Sequence, residues 1–365
     1  MGNPGKGNSV TDVRAHGLDR GLLKELLTTY GPCGQEDAVR DICHRELEPL
    51  ADQTWVDAAG NLVGFFRGAD GPPVRVMAHM DELSMIVKRV EADGSLHVTQ
   101  LGTMYPGNFG LGPVAILGQR ETLCGVLTLG SEHTTQESPR IWETKPDQAG
   151  KAMDWMHVYV FTGRQPEELT AAGVRTGTRV CVHTSKRDLV EFGDYLGCYF
   201  MDDRAAITAL VQVGRQLSGN EGRLPGDVYL VFTTNEEIGG SGGSYASRTL
   251  PGDLTVAVEV GPTEAEYGTS CAGGPIVAYS DAECVYDKVV ADRLMDIAIG
   301  QGLSPQPAVL GAFESDASHS KAGGLSARAG LLCLPTLSTH GYEVLSRDAI
   351  GAVADVLVEF VTGPA

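Results

Sequence analysis

The sequence predicts an α/β fold: a mixed sheet covered by helices on both faces, with an inserted all-β, barrel-like domain. After residue 195, helical stretches alternate with continuous apolar runs such as DVYLVFTT and ARAGLLCLP, which are typical of strands buried on both faces. Residues 84–195 instead contain short β-like runs separated by glycine-bearing turns. We therefore expect one discontinuous domain, residues 17–83 and 196–365, interrupted by a β-domain, residues 84–195.

The N-terminal part begins with a tail and two helices. Residues 1–16 have no apolar periodicity, and we expect them to be a disordered tail. Leucines at helical spacing predict a first helix within residues 18–30. The Gly-Pro-Cys-Gly turn precedes a second helix that has Val39, Ile42 and Leu47 on one face.

A hairpin and a strand come next, before the insertion. WVDAAGNLVGFF predicts a hairpin with Gly60 in its turn, and PVRVMAHMDE predicts a short strand that stops at His79. Beyond the insertion, MDDRAAITALVQVGRQL predicts a helix that begins at the aspartates. VYDKVVADRLMDIAIGQG and RDAIGAVADVLVEFV predict helices that cover the sheet.

Composition argues against several classes of partner. The formal net charge is −19 and the sequence pI is about 4.8, so the surface repels phosphate backbones and we expect no nucleic-acid partner. We also expect no membrane span, because no apolar run approaches the ~20 residues required, and no signal peptide. The eight cysteines form no C-x-x-C pair and lie mostly in apolar runs, which predicts reduced thiols and a cytoplasmic protein.

Side chains that bind metals stand where the predicted strands end. Ligands of an open α/β sheet bind beyond the carboxyl ends of its strands. One acid or histidine at one strand end is usually structural, whereas a full set at several ends indicates a site. Carboxylates and imidazoles suit zinc, cobalt or manganese. The candidate residues are His79, Asp81, Glu236, Glu237, Glu259 and His340, with Asp202 and Asp203 at the start of a helix.

The spacing within this set indicates separate tasks. Residues i and i+2 of an extended segment point the same way, so Asp81 is placed to hold one ring nitrogen of His79 and to orient the other. Neighbouring residues point in different directions, so one of Glu236 and Glu237 can bind metal while the other serves as the base for a hydrolytic water. Two metal ions would also need a bridging carboxylate, for which Asp202 is the candidate.

The same stretch offers a serine-hydrolase motif as an alternative. Gly239-x-Ser241-x-Gly243 has the spacing of a nucleophile elbow, and His319 and His340 stand downstream. An elbow needs a helix directly after its serine, and GGSGGSY is too rich in glycine to begin a helix well. We expect a flexible turn instead, in which the glycines let the backbone pass close to the site.

Four further residues leave structural and functional roles open. Asp203 is the expected N-cap of its helix. Asp316, in AFESDASHSKAGG, follows another predicted strand and either caps a loop or lines a substrate pocket, with His319 beside it. His133 lies in the polar loop GSEHTTQESPR, from which it could reach a site on the other domain.

Together, these motifs resemble a known family. AHMDE, MDDRAA, NEEIGGSGG and THGYE occur in the order found in the tetrahedral, or glutamyl/deblocking, aminopeptidases. GPCGQE, DAAGNLVG and SDA extend the resemblance over residues 18–362. It implies a zinc-peptidase-like α/β domain with two divalent metal ions per subunit, zinc before cobalt or manganese. It also implies a homo-dodecamer in which the inserted β-domain contacts other subunits.

The resemblance further implies a role for each site residue. By this resemblance, His79 and Glu259 would bind one ion, and Glu237 and His340 would bind the other. Asp202 would bridge the two ions. Glu236 would be the general base, and Asp81 would orient His79.

We therefore expect a cytoplasmic, metal-dependent aminopeptidase that removes N-terminal residues from peptides. Two positions depart from the family: Glu259 stands where Asp is usual, and LSTH stands where Arg-Tyr often precedes the last histidine. Glu at this position resembles carboxypeptidases and deacylases. The first alternative is therefore metal-dependent hydrolysis of a small amide, such as a dipeptide or an N-acyl amino acid. The others are a serine hydrolase that uses Ser241 and a non-catalytic assembly protein.

Overall fold

The protein is represented by a computed structural model that describes residues 18–148, 150–220 and 224–363. The predicted tail, residues 1–16, lies outside this part of the chain. The leucine-rich segment and the segment with Val39 form helices whose apolar faces are buried, as predicted. The first elements are α1 (Arg20–Thr28), α2 (Asp37–Leu47), β1 (Gln53–Val56), β2 (Leu62–Phe66) and β3 (Gly68–His79).

The chain then enters a closed antiparallel barrel. Its strands follow the order β4-β5-β8-β7-β6-β9 around the barrel, and their inward residues form a separate apolar core. The barrel elements are β4 (Ser84–Val90), β5 (Leu96–Leu101), α3 (Pro106–Phe109), β6 (Gly112–Leu117), β7 (Thr122–Thr128), α4 (Pro139–Trp142), β8 (Tyr159–Phe161), α5 (Pro166–Ala172) and β9 (Arg179–Val182).

The remaining elements return to the large sheet. A 3₁₀ turn, Thr184–Lys186, leads out of the barrel. The elements after it are β10 (Val190–Phe192), β11 (Tyr195–Tyr199), α6 (Met201–Ser218), β12 (Leu224–Thr233), α7 (Ser241–Thr249), β13 (Leu254–Pro262), β14 (Ile276–Ser280), α8 (Lys288–Gly300), β15 (Gln306–Val309), α9 (Asp316–Ala322), β16 (Arg328–Leu337), β17 (Tyr342–Ser346) and α10 (Ala349–Thr362).

Among the described residues, eleven strands form one mixed sheet. Nine follow the order β1-β2-β12-β3-β13-β16-β17-β11-β10, while β14 pairs with β16 and β15 pairs with β14. Helices cover both faces: Val76 and Ala78 of β3 pack in the core that contains α6 and α10, whereas Met77 packs with Ala246 of α7. The predicted fold class is confirmed. No helix within the described ranges is both long and apolar enough to cross a membrane.

The large sheet is parallel where the site is expected. β12, β3, β13 and β16 are parallel neighbours, so their carboxyl ends lie along one edge. Antiparallel strands flank them on either side. The predicted insertion extends to residue 195, whereas the structure pairs β10 with β11 inside the large sheet. β10 and β11 form a hairpin across the two-residue turn Gly193-Asp194, a local signal that the predicted boundary did not take into account.

The stretch GGSGGSY begins helix α7, so the prediction that it would not open a helix is wrong. Gly240 is left-handed, with φ 59°, and ends the turn before the helix. A side chain on Gly242 would lie 2.2 Å from the carbonyl oxygen of Thr234, and one on Gly243 would lie 2.3 Å from the Asp316 carboxylate. Close packing of these glycines therefore outweighs their low helix propensity.

A buried ionic group ties the barrel to the sheet. Glu82 lies between β3 and β4, Arg187 follows the barrel, and Arg204 lies in α6. Nη2 of Arg187 donates to Glu82 Oε1 at 2.7 Å, and Nη2 of Arg204 donates to Glu82 Oε2 at 3.0 Å. All three side chains are fully buried. The chain is thus fixed where it enters and leaves the barrel, next to the predicted ligands.

Candidate metal centre

The predicted ligands lie along the carboxyl edge of the parallel strands. His79 is the last residue of β3 and pairs with Thr233, the last residue of β12, so Glu236 and Glu237 follow in the turn beyond. Glu259 lies inside β13, because that strand continues beside β16 after its pairing with β3 has ended. The strand ends thus bring together residues from four distant parts of the sequence.

One group of donor atoms surrounds His79. It contains His79, Asp202, Asp203 and Glu259, all buried, with one ligand atom from each within 4.8 Å of the others. Nε2 of His79 lies 2.9 Å from Asp202 Oδ1 and 3.5 Å from Glu259 Oε2. One imidazole nitrogen together with several carboxylate oxygens is a donor set suited to a divalent metal ion.

A second group shares Asp202 with the first. It contains Asp202, Glu237 and His340, again with one ligand atom from each within 4.8 Å of the others. Nε2 of His340 lies 3.6 Å from Asp202 Oδ2 and 3.8 Å from Glu237 Oε2. The two oxygens of Asp202 therefore face different groups, Oδ1 towards His79 and Oδ2 towards His340.

Backbone carbonyls fix the orientation of both histidine rings. Nδ1 of His79 donates to the carbonyl oxygen of Asp81 at 3.1 Å, and Nδ1 of His340 donates to the carbonyl oxygen of Thr103 at 2.7 Å. Because Nδ1 of each ring is used in this way, Nε2 is the nitrogen that faces the carboxylates and would be the one available to a metal ion. Thr103 belongs to the barrel segment, so the insertion contributes to the orientation of His340.

The carboxylate of Asp81 holds the turn that carries the paired glutamates. Its Oδ1 accepts the backbone N–H of Glu236 at 3.0 Å, and its Oδ2 accepts that of Glu237 at 3.1 Å. Its nearest carboxylate contact with His79 is longer, 3.6 Å to Nδ1. Asp81 was predicted to orient His79 through its carboxylate, but the carbonyl oxygen accepts the ring N–H instead. Glu236 belongs to neither donor group.

The electrostatics of the site favour a bound cation. Burial raises the pKa of Glu236, Glu237 and Glu259 well above the usual range, and repulsion from neighbouring carboxylates adds to this. Burial disfavours the charged form of His79, but Glu259 and Asp202 outweigh this effect and raise its pKa. A divalent cation among these groups would favour the ionised carboxylates and the neutral form of the His79 ring.

Unpartnered oxygens test whether a cation fits the residues that are present. Glu237 Oε1, Glu259 Oε1 and Asp203 Oδ1 are buried and have no hydrogen-bond donor among the described residues. Buried carboxylate oxygens are normally hydrogen-bonded or bound to metal. The two groups therefore fit metal ions in three respects: their negative charge, the type of their donor atoms, and the presence of oxygens that lack a hydrogen-bond donor.

Asp203 does not cap helix α6, so that prediction is wrong. Its torsion angles, φ −113° and ψ 30°, are non-helical, as at an N-cap, but its side chain makes no hydrogen bond to the first turn of the helix, and its Oδ1 has no donor among the described residues. Its Oδ2 accepts the backbone N–H of His79 at 3.1 Å. The backbone is non-helical at both Asp202 and Asp203, and this turns the side chain of Asp203 towards β3. The adjacent aspartates in MDDRAA are the only sequence signal for this contact.

The other singled-out residues lie apart from the two donor groups. Asp316 is buried against Gly243, and its Oδ2 accepts a hydrogen bond from the Thr233 hydroxyl at 2.5 Å. The ring of His319 packs against Gly240, and its Nε2 lies 3.3 Å from Oε2 of Glu314. Ser241 and His133 are exposed, and the backbone N–H of His133 bonds a neighbouring serine. Roles for Asp316, His319 and His133 remain predictions.

Comparison with known proteins identifies the family. Residues 60–356 match the sequence profile described as M42 glutamyl aminopeptidase. A lysyl aminopeptidase of Pyrococcus furiosus is 28% identical over 246 residues, 67% of this chain and 66% of that protein. A putative aminopeptidase of Acetivibrio thermocellus is 25% identical over 348 residues, 93% of this chain and 97% of that protein.

Solved structures share the fold. A TET aminopeptidase from a marine sediment Thaumarchaeota archaeon superposes with a TM-score of 0.85 at 21% identity, over 94% of this chain and 96% of that one. The TET1 peptidase of Pyrococcus horikoshii, described as assembling into a tetrahedron or a large octahedral shell, gives a TM-score of 0.81 at 21% identity, over 94% and 99%. The profile match covers most of the chain. The chain belongs to the M42 glutamyl aminopeptidase family, and the metal-dependent aminopeptidase activity expected from the sequence is the activity of that family.

Proposed function

We propose that this M42 aminopeptidase removes single N-terminal residues from peptides, using two divalent ions and Glu236 as the general base. The observation that carries the proposal is the pair of donor groups that meet at Asp202, one oxygen facing each group. A carboxylate placed in this way would bridge two ions. His79 and Glu259 would hold the first ion, and Glu237 and His340 would hold the second.

The donor types favour zinc. Imidazole nitrogens and carboxylate oxygens suit zinc, and cobalt or manganese bind to the same mixed set. When bound, the ions would supply Lewis-acid activation of a water and of the scissile carbonyl. Cobalt and manganese are therefore included beside zinc in the experiment below.

The residues of the chain have distinct tasks in this proposal. Glu236 would take the proton of the attacking water and return it to the leaving amine. It is available for this task because it belongs to neither donor group and so need not bind a metal ion. Asp81 would keep Glu236 and Glu237 apart by binding both of their backbone N–H groups. His340, whose side chain is 35% exposed, lies on the side from which a substrate would enter.

The substrate class is tested with a mixed peptide library and mass spectrometry. The library is incubated with zinc, cobalt or manganese, beside an EDTA control and an N-terminally acetylated copy. We expect stepwise loss of N-terminal residues from free-amine peptides, and intact peptides in both controls. Cleavage of acetylated or C-terminal residues would instead indicate a deacylase or carboxypeptidase, and cleavage that EDTA does not suppress would indicate a serine hydrolase.

We also propose that residues 84–195 form an inserted domain that mediates assembly into a homo-dodecamer. Val126 of β7 and Phe161 of β8 are paired neighbours, and they are 41% and 58% exposed on the outside of the barrel. Met156, 70% exposed, adds a third large apolar side chain. Exposed apolar groups of this size are typical of interfaces, and a relative of the same fold assembles into shells.

Assembly is tested by native mass spectrometry. We expect the wild-type protein to have about twelve times the 38.6 kDa chain mass, and Phe161→Glu to give smaller species because it would place a charge in the interface. A wild-type protein that remains monomeric at micromolar concentration would contradict this proposal.

We propose a cytoplasmic location because the cysteines are not paired in disulfides. All eight cysteines are free, and five of them are buried. Free thiols are typical of proteins in a reducing compartment.

A further inference from the structure

We propose that Glu343 is a positioning residue that holds Asp202 and His340 together as ligands of the second ion. This inference rests on the proposed dinuclear centre. Glu343 lies in β17 and is 1% exposed, so its carboxylate needs partners within the protein. Its Oε2 accepts the backbone N–H of Asp202 at 3.0 Å, and its Oε1 accepts that of His340 at 3.0 Å.

The register of the sheet explains why one side chain reaches both ligands. β17 lies between β11 and β16, and Glu343 pairs with Cys198 near the end of β11. From there the chain reaches Asp202 in a few residues. On its other side, β17 follows directly on the turn that carries His340. Glu343 is therefore located between two segments that lie far apart in the sequence, and its bond to Asp202 joins residues 141 positions apart.

Both loops contain strained backbone. Phe200, just before Asp202, has φ 66°, and Ser338 and His340 have φ 59° and φ 62°. Non-glycine residues hold such left-handed conformations only where the surroundings fix them. A carboxylate that accepts one N–H from each loop supplies a constraint of this kind, and the same two loops carry both ligands.

Glu343 acts through other residues rather than as a ligand itself. Each of its oxygens already accepts a backbone N–H, and it is absent from both donor groups within the described residues. Loss of an outer partner of a metal ligand typically lowers metal affinity by about 10- to 100-fold.

The test compares Glu343→Gln with a matched variant. A glutamine keeps the volume but offers one acceptor and one NH₂ group, so one of the two backbone N–H groups would face a donor. The control is Asp287→Asn, because Asp287 also accepts two backbone N–H groups, those of Val289 and Val290, at the start of α8. It lies near the start of β16, at the edge opposite the site.

The measurement is calorimetric titration of metal-free protein with zinc alone. His340→Ala identifies which binding step belongs to the second group. In Glu343→Gln we expect that step to weaken by about 10- to 100-fold, while Asp287→Asn keeps the wild-type zinc affinities. Thermal unfolding of each metal-free variant shows whether it is folded. Should Glu343→Gln fail to fold, Glu343→Asp takes its place, because its shorter side chain cannot span both N–H groups.

Two outcomes would overturn different statements. Wild-type zinc affinities in a folded Glu343→Gln would contradict the positioning role of Glu343 and leave the dinuclear centre standing. Wild-type protein that takes up fewer than two zinc equivalents would contradict the dinuclear centre itself, and this proposal with it.

Discussion

Replacing Glu236 by Gln is expected to lower kcat by about 10²- to 10⁴-fold, the contribution typical of a general base. Glu236 belongs to neither donor group, so the variant should keep the metal content of the wild type. Its volume and its backbone bond to Asp81 are retained. The measurement is the initial rate on the peptides that the library identifies, together with metal analysis of the purified protein.

The neighbouring residue provides the control. Glu237→Gln makes the same chemical change one position along, but Glu237 is in the second donor group. We expect this variant to lose metal as well as activity. If Glu236→Gln kept activity within a few-fold of wild type, or if both variants lost metal equally, the division of tasks between the adjacent glutamates would be wrong.

Replacing Glu82 by Gln is expected to lower the free energy of unfolding by about 3–5 kcal/mol, because it leaves two buried guanidinium groups without their counter-charge. Arg187 and Arg204 are fully buried and both bond to Glu82. The measurement is urea denaturation of the metal-free protein. The loss should be independent of added metal, because none of the three residues is in a donor group.

An exposed pair of the same chemistry is the control for Glu82. Glu168 pairs with Arg164 at 3.2 Å, with side chains 49% and 48% exposed. Glu168→Gln should leave the free energy of unfolding close to the wild-type value, because water screens and solvates both charges. Equal losses in the two variants would show that the buried group does not hold the barrel to the sheet.

The sequence was sufficient to predict where the donor atoms would gather. Parallel strands share one carboxyl edge, so residues that follow VRVMA, VYLVFTT and LLCLPTLST had to lie near each other. His79, Glu237 and His340 are therefore close although they are far apart in the chain. Glu259 also joined them, although it lies within its strand, because β13 extends past its pairing with β3.

The parts that could not be predicted depend on tertiary contacts. The bond from His340 to Thr103 joins residues 237 positions apart, and the bonds of Glu343 depend on the register of β17 with β11. Neither has a local signature. Two wrong predictions, for Asp203 and for the helix at Ser241, have the same origin. In both, propensity favoured the usual local role, and a tertiary contact imposed another: a hydrogen bond to the backbone of His79 for Asp203, and close packing of the glycines for the helix.

The measurement that tests the central claim most directly is an anomalous X-ray map from crystals grown with zinc. The claim is that Asp202 bridges two ions. The predicted result is two peaks about 3.5–4 Å apart, one against His79 and Glu259 and one against Glu237 and His340, with Asp202 between them. A single peak, or two peaks that do not share Asp202, would contradict it.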